Sequence, residues 1–360
     1  MAEKVLKKGN EGIALGAIHC GCDGYFGYPI TPQSEVMETL MEEKPWETTG
    51  MVVLQAESEI ASINMVHGGA CCGKKVMTSS SSPGLSLMCE GLSYLAASEL
   101  PCVVVNVVRG GPGLGTIQPS QGDYYQAVKG GGHGDYKTIV LAPFSAQEMY
   151  DFVGLGFDLA FKYRIPVMML TDGMIGQMME KVELRPQQAR LSDQEIVSRY
   201  GSWATTGKTS DRPKNAVTSL ALESKVHEAL NFKLQAKYAE ITEHEVRFET
   251  LACEDAEYLL VAYGSVARIC ESAVEAARAQ GIKLGLLRPI TLFPFPNVEI
   301  QRMIPQLKGI LSVELSAGQM VDDIRLAVEG KVPVHFYGRL GGMIPSPQEV
   351  LEACKAHYIK

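Results

Sequence analysis

Three side chains of this sequence, Glu59, Thr31 and Arg109, stand where short apolar runs stop; the types of Thr31 and Arg109 suit an anionic ligand, and Glu59 offers a carboxylate to a ligand. In MVVLQAESEIASINMVHGGA, Met51 to Ala70, the apolar run ends at Gln55 and Ser58 is placed to cap a helix whose first turn holds Glu59. A glutamate there either complements the helix dipole, worth about 0.3–1 kcal/mol, or faces a ligand at the carboxyl edge of a parallel sheet. Thr31-Pro32 is expected to open the next helix, Thr31 as N-cap and Pro32 at the first helical position. A helix start carrying a hydroxyl can serve only the helix or can hold an anion. Arg109 closes PCVVVNVVR and precedes GGPGLGTIQPSQGD, so its planar fork can grip a carboxylate or phosphate, or pair with a surface acid.

Other candidates are weaker. His133 sits among Gly130, Gly131, Gly132 and Gly134, where a loop histidine can touch substrate or do nothing chemical. Nine cysteines, at 20, 22, 71, 72, 89, 102, 253, 270 and 354, lack the repeated C-x-x-C spacing of zinc or iron–sulfur ligation and read as reduced, structural thiols. Gly110 to Gly115 makes no dinucleotide fingerprint, and Thr206-Gly207-Lys208-Thr209 lacks the upstream glycine of a phosphate loop.

The elements that must position these residues alternate. Met51 to Leu54 reads as a buried strand, Gly24 to Pro29 as a short one, Lys75 to Ser82 as a strand running into a hydroxyl-rich turn, and Pro101 to Arg109 as a central parallel strand buried on both faces. Thr138 to Leu141 and Pro166 to Thr171 follow, with Ser145 capping the helix between them. The small residues Ala61, Ser62, Gly68, Gly69 and Ala70 allow close approach of another backbone. Residues 1–190 thus form one doubly wound α/β domain, 191–250 a polar connector with one long helix, and 251–360 a smaller α/β domain of four strands, in which PITLFPFP is a stiff connector.

At 360 residues the chain can bury two cores, and a net charge of −8 leaves no basic face for nucleic acid. No apolar run approaches the roughly 18 residues of a membrane span, and the amino terminus lacks a signal-peptide core, so a cytoplasmic protein with no membrane association is expected.

Taken together, GYPITPQSE, the Glu57-Ser58-Glu59 triplet, SSSSPGLSLMCEGLSYL, VVVNVVRGGPGLGT and AYGSVARICESAVEAARAQGIKLGLLRPITLFPFP resemble the alpha subunits of 2-oxoacid:ferredoxin oxidoreductases. The resemblance runs over almost the whole chain and is closest to members acting on branched-chain 2-oxoacids (2-oxoisovalerate, 3-methyl-2-oxobutanoate). It implies a pyrimidine-binding domain of the thiamine diphosphate fold followed by a domain like the transketolase carboxyl-terminal one. It further implies that Glu59 hydrogen-bonds the aminopyrimidine and favours its imino tautomer, that Tyr28 and Pro29 contact the cofactor, that Thr31 lies near the substrate, and that Arg109 meets the substrate carboxylate.

The reaction so implied is oxidative decarboxylation of the 2-oxoacid to acyl-coenzyme A and CO2, with electrons passed to ferredoxin. A departure qualifies it. Thr171-Asp172-Gly173 is followed by no Asn-Asn pair of the kind that holds the diphosphate and its Mg2+, and no cluster-binding cysteine spacing occurs, so this chain carries half a site. A beta subunit is expected to supply the diphosphate half, and gamma and ferredoxin-like delta subunits the rest, with Mg2+ and iron–sulfur clusters on partners only. Two alternatives stay open: the same chemistry on 2-oxoglutarate or pyruvate, and a non-catalytic nucleotide- or coenzyme A-binding scaffold.

Overall fold

Val104 and its neighbours dictate the centre of the molecule: Cys102–Val108 is buried at every position, as an almost wholly apolar strand must be when helices cover both faces of its sheet. The computed structural model describes residues 3–208, 210 and 213–358. Thr209 of the rejected phosphate loop lies outside the described residues. The first sheet has seven strands in the order Thr291–Phe293, Ile139–Leu141, Pro166–Asp172, Cys102–Val108, Val76–Ser80, Gly24–Gly27 and Val52–Gln55. All are parallel to their neighbours except Thr291–Phe293, which runs antiparallel to Ile139–Leu141.

Several expectations are corrected here. Val52–Gln55 is an edge strand, and Val52 and Leu54 are exposed while only Met51, just before it, is buried. Its one neighbour is Gly24–Gly27, so hydrophobic composition could not report burial. Thr31 is not a helix cap. The Gln33 N–H donates to the Ile30 carbonyl at 3.1 Å, closing a turn across a cis Thr31-Pro32 bond, and the helix Ser34–Glu43 starts only afterwards. On that helix Val36 and Leu40 are buried but Met41 is exposed. PITLFPFP is no connector, since its Thr291–Phe293 segment returns to the first sheet. The amino-terminal strand Lys4–Lys8, paired antiparallel with Met179–Glu183, carries too many lysines to be read as a strand from pattern.

The second sheet has five strands rather than four: Val334–Gly338, Gly309–Glu314, Tyr258–Val261, Leu284–Pro289 and Phe248–Leu251, the last antiparallel. The long helix Ser224–His244 of the 191–250 stretch places Leu234, Tyr238 and Ile241 in the core of the first unit. One apolar cluster joins both units, with Val104, Tyr124 and Leu170 continuous with Tyr263, Leu287 and Met320. Polar ties reinforce the joint. The Arg288 guanidinium is bidentate to Glu148 at 2.8 Å on each arm, and the Gln121 side chain donates to the Tyr263 carbonyl and accepts from the Leu315 N–H.

Glu245 fastens the end of the long helix. Its carboxylate accepts from Lys162 Nζ and Tyr163 Oη, each at 2.7 Å, and from Arg247 Nη1 at 2.9 Å. Burial raises its pKa, but these three donors outweigh it and hold the carboxyl at about 2 against an ordinary 4.5. A depressed folded pKa contributes stability above the unfolded pKa and loses it as pH falls through the folded one. The unfolding free energy should therefore hold this contribution above pH 4.5 and lose it between 4.5 and about 2. Acid titration of denaturant midpoints should show a shallower decline in Glu245→Gln than in the parent; equal slopes would assign the acid sensitivity elsewhere.

Candidate active site

Parallel strands deliver side chains to one edge of a sheet, and four strand ends meet at the carboxyl edge here: Gly27 leads to Tyr28–Thr31, Gln55 to Glu59, Ser80 to Ser81 and Ser82, and Val108 to Arg109. Ser58 caps the helix Glu59–Cys71 as expected, its hydroxyl accepting from the Ala61 N–H at 3.2 Å. That cap turns Glu59 inward, and the residue is 5% exposed.

Glu59 receives no hydrogen bond from any described residue, an unusual state for a buried carboxylate. The strand Val76–Ser80 and the residue after it carry further unengaged polar groups. The hydroxyls of Thr78, Ser80 and Ser81 are buried without a partner. Gly84, in the first turn of the helix Ser82–Ala97, packs directly on the Ser80 hydroxyl and the Glu59 carboxylate, and a first side-chain carbon there would collide with both. Gly84 is a glycine for close approach, not for backbone freedom.

Arg109 has no acid within ion-pairing distance among the described residues, so the surface-pair alternative is not what the chain built. Its guanidinium donates through Nη1 to the Thr31 carbonyl at 3.0 Å and through Nη2 to the Leu114 carbonyl at 3.3 Å, while its Nε is buried without a partner. Its main chain is pinned by Ser82, whose hydroxyl accepts from the Arg109 N–H at 3.1 Å and lies 3.2 Å from the Arg109 carbonyl. Thr31 and Arg109 are thus brought together, but by the threonine backbone. Tyr28, Pro29 and Thr31 are all exposed on the same rim.

Arg109 opens on a cleft of about 380 Å3 lined by Ser82, Pro83, Ser86, the Gly110–Leu114 loop and Asp123. Asp123 was not singled out by sequence, though it lies in the quoted loop. Burial raises its pKa, opposed by hydrogen bonds from Ser82 and Asn106. A larger hollow of about 640 Å3, with Lys75, Phe157, Arg190 and Tyr200 on its walls, lies at the opposite, amino-terminal ends of the strands. The smaller cleft is the candidate, because open α/β sheets bind at the carboxyl edge and Arg109 is there. His133 takes no part in its walls. That residue accepts at its carbonyl from Ser93 and sets its ring edge-on to Tyr94.

Residues 15–240 match the family described as pyruvate flavodoxin/ferredoxin oxidoreductase, thiamine diphosphate-binding, and residues 256–350 match pyruvate:ferredoxin oxidoreductase core domain II. The chain belongs to this family. It is 50% identical over 348 residues to the ketoisovalerate oxidoreductase subunit VorB of Methanothermobacter thermautotrophicus, covering 96% of each chain. It is 35% identical over 371 residues to the 2-oxoglutarate synthase subunit KorA of Methanothermobacter marburgensis, covering 98% of each. Its fold superposes with TM-score 0.86 and 28% identity on the 2-oxoglutarate:ferredoxin oxidoreductase of Magnetococcus marinus solved with 2-oxoglutarate, coenzyme A and succinyl-coenzyme A, covering all of this chain and 66% of that one.

Membership makes the chain one subunit of an oxidoreductase that uses thiamine diphosphate. The residues present fit one end of that cofactor. An aminopyrimidine is a flat ring edged with donors and acceptors, and the unengaged Glu59 carboxylate and the orphan Ser80 hydroxyl, brought together over Gly84, answer those features. Asp172 does not answer the diphosphate end. One of its oxygens caps its own short helix at the Met174 and Ile175 N–H groups, and the other accepts from Ser265 at 2.5 Å. Among the described residues no three His, Cys, Asp or Glu side chains are grouped to hold a metal ion, and no helix is long and apolar enough to cross a membrane.

Proposed function

We propose that this chain is the pyrimidine-holding subunit of a cytoplasmic 2-oxoisovalerate:ferredoxin oxidoreductase, converting a branched-chain 2-oxoacid and coenzyme A to acyl-coenzyme A and CO2. The observation that carries the reading is Glu59, a buried residue at the sheet's carboxyl edge whose carboxylate takes no hydrogen bond from any described residue and packs against Gly84. Such a group is costly unless a ligand completes it. Thiamine diphosphate, when bound, supplies the electron sink for loss of CO2. Glu59 would share a proton with the aminopyrimidine ring at its carboxylate, Tyr28 and Pro29 would border the ring, and Arg109, oriented by the Thr31 carbonyl, would hold the substrate carboxylate.

The rest of the site belongs to other chains in this reading: a beta subunit with the diphosphate and Mg2+, and gamma and delta subunits with the iron–sulfur relay to ferredoxin. Exposed Ile60, Met65, Leu87 and Tyr94 on the two helices that flank Glu59 are the kind of apolar surface a partner covers. The identity to a ketoisovalerate subunit supports the branched-chain substrate over 2-oxoglutarate. So does charge: among the residues lining the cleft Arg109 is the sole cation, whereas a dicarboxylate calls for two.

The assembled complex, assayed with a panel of 2-oxoacids, coenzyme A and ferredoxin, should favour 2-oxoisovalerate; equal use of 2-oxoglutarate would remove the assignment. Arg109→Lys keeps the charge and loses the fork. It should lower kcat/KM for every accepted 2-oxoacid by roughly 10–100-fold, the worth of a charge-assisted hydrogen bond, with ferredoxin kinetics unchanged. A change within twofold, with only thermal stability falling, would leave Arg109 a structural residue.

A further inference from the structure

The turn that presents Thr31 is itself held from below by a side chain with no place in the chemistry above. Asn10, in the first turn of the helix Gly9–His19, is fully buried. Its Nδ2 donates to the Pro32 carbonyl at 2.7 Å and to Glu35 Oε2 at 2.9 Å. Both neighbours only accept, so the site needs a two-donor amide and an aspartate there would face two oxygens. Gly176 packs so closely on the Asn10 amide that a side chain at 176 would displace it, which fixes its rotamer. Gln177 adds a second, weaker donor to the Pro32 carbonyl at 3.3 Å and one to Glu35 Oε1 at 2.7 Å. Lys8 completes the cluster, 3.1 Å from Glu35 Oε1.

The chain of contacts leads out of this cluster to the cleft. Pro32 is one peptide from Thr31, whose carbonyl accepts Arg109 Nη1 at 3.0 Å. Of the two carbonyls that hold the Arg109 fork, Leu114 belongs to a loop whose tip is 87% exposed, so the Thr31 carbonyl is the one with a buried anchor behind it. We infer that Asn10 is a positioning residue for 2-oxoacid binding, setting the Arg109 guanidinium through the Pro32 and Thr31 backbone. This rests on the proposal that Arg109 holds the substrate carboxylate. Asn10 touches neither substrate nor cofactor, and its effect runs only through the arginine.

The test is a double-mutant cycle in the complex assembled with its partner subunits, with KM for 2-oxoisovalerate, kcat and thiamine diphosphate affinity read for each variant. Asn10→Ala should raise KM about tenfold, the loss of one well-placed hydrogen bond, with kcat and cofactor affinity within twofold. In an Arg109→Met background the same substitution should change KM by less than twofold, since no guanidinium remains to be set. An equal KM rise in both backgrounds would make Asn10 a general structural residue and overturn the inference. So would an unchanged KM in Asn10→Ala beside a raised KM in Arg109→Met. If Arg109→Met leaves KM unaltered, the carboxylate assignment itself is what fails. Should Asn10→Ala not assemble, Gln177→Ala removes the second donor to Pro32 from an exposed side chain; it should raise KM in the same direction by a smaller factor, and no rise at all would count against the inference.

Discussion

Glu59→Gln should abolish most of the turnover of the assembled enzyme while leaving its stability unchanged or slightly higher. Two physical facts combine in that expectation. An amide is nearly isosteric with the carboxylate but cannot share a proton with a ring nitrogen, and a positioned acid–base group is worth about 10²–10⁴ in rate. The second fact is that the parent carboxylate takes no hydrogen bond from any described residue, so replacing it removes no stabilising contact of the chain. Turnover with 2-oxoisovalerate, exchange of the bound cofactor's thiazolium proton, and the thermal midpoint of the complex together check this. Turnover within tenfold of the parent, or proton exchange at the parent rate, would falsify the assignment of Glu59.

Glu314→Ala should do the reverse, destabilising the chain by about 3 kcal/mol or more, because it leaves several buried donors without an acceptor at about 1–3 kcal/mol each. Glu314 ends the strand Gly309–Glu314 and is fully buried. Its two oxygens accept from the Ser312 and Ser316 hydroxyls, each at 2.8 Å, and from the N–H groups of Gln319, Met320 and Val321 at 3.0, 3.0 and 2.9 Å. The start of the helix Met320–Val328 is thereby an anion site filled by the protein's own carboxylate. Truncation would leave three amides and two hydroxyls unpaired in the interior. A denaturant midpoint lowered with an unchanged slope is the expected result, and a loss under about 1 kcal/mol would mean that water replaces the carboxylate at little cost.

The contrast between these two glutamates marks what sequence can and cannot tell. Glu59 follows a strand and Glu314 ends one, both are buried, and both sit at the carboxyl edge of a sheet's parallel strands. One is satisfied five times by its own chain and the other by no described residue, and that difference depends on where serines and helix starts arrive. Sequence patterns named Glu59 and passed over Glu314, because only the first lies in a motif.

Much was nonetheless determined by the sequence alone. Short-range rules settled the Ser58 and Ser145 caps, the fully buried Cys102–Val108 strand and the α/β alternation, since each depends on residues within one or two turns of each other. The motif series identified the family by itself. What only the tertiary structure decided was set by distant partners. Val52–Gln55 is exposed because it has a single neighbour in its sheet. Thr31 serves through its carbonyl because the 30–33 turn closes before the helix begins. Thr291–Phe293 belongs to the first sheet because Ile139–Leu141 has a free edge to offer it across some 150 residues of chain. Periodicity reports which face of an element is apolar; it holds no information about which other element arrives to cover that face, and it is that arrival which placed Arg109 against Thr31 and left Glu59 unengaged.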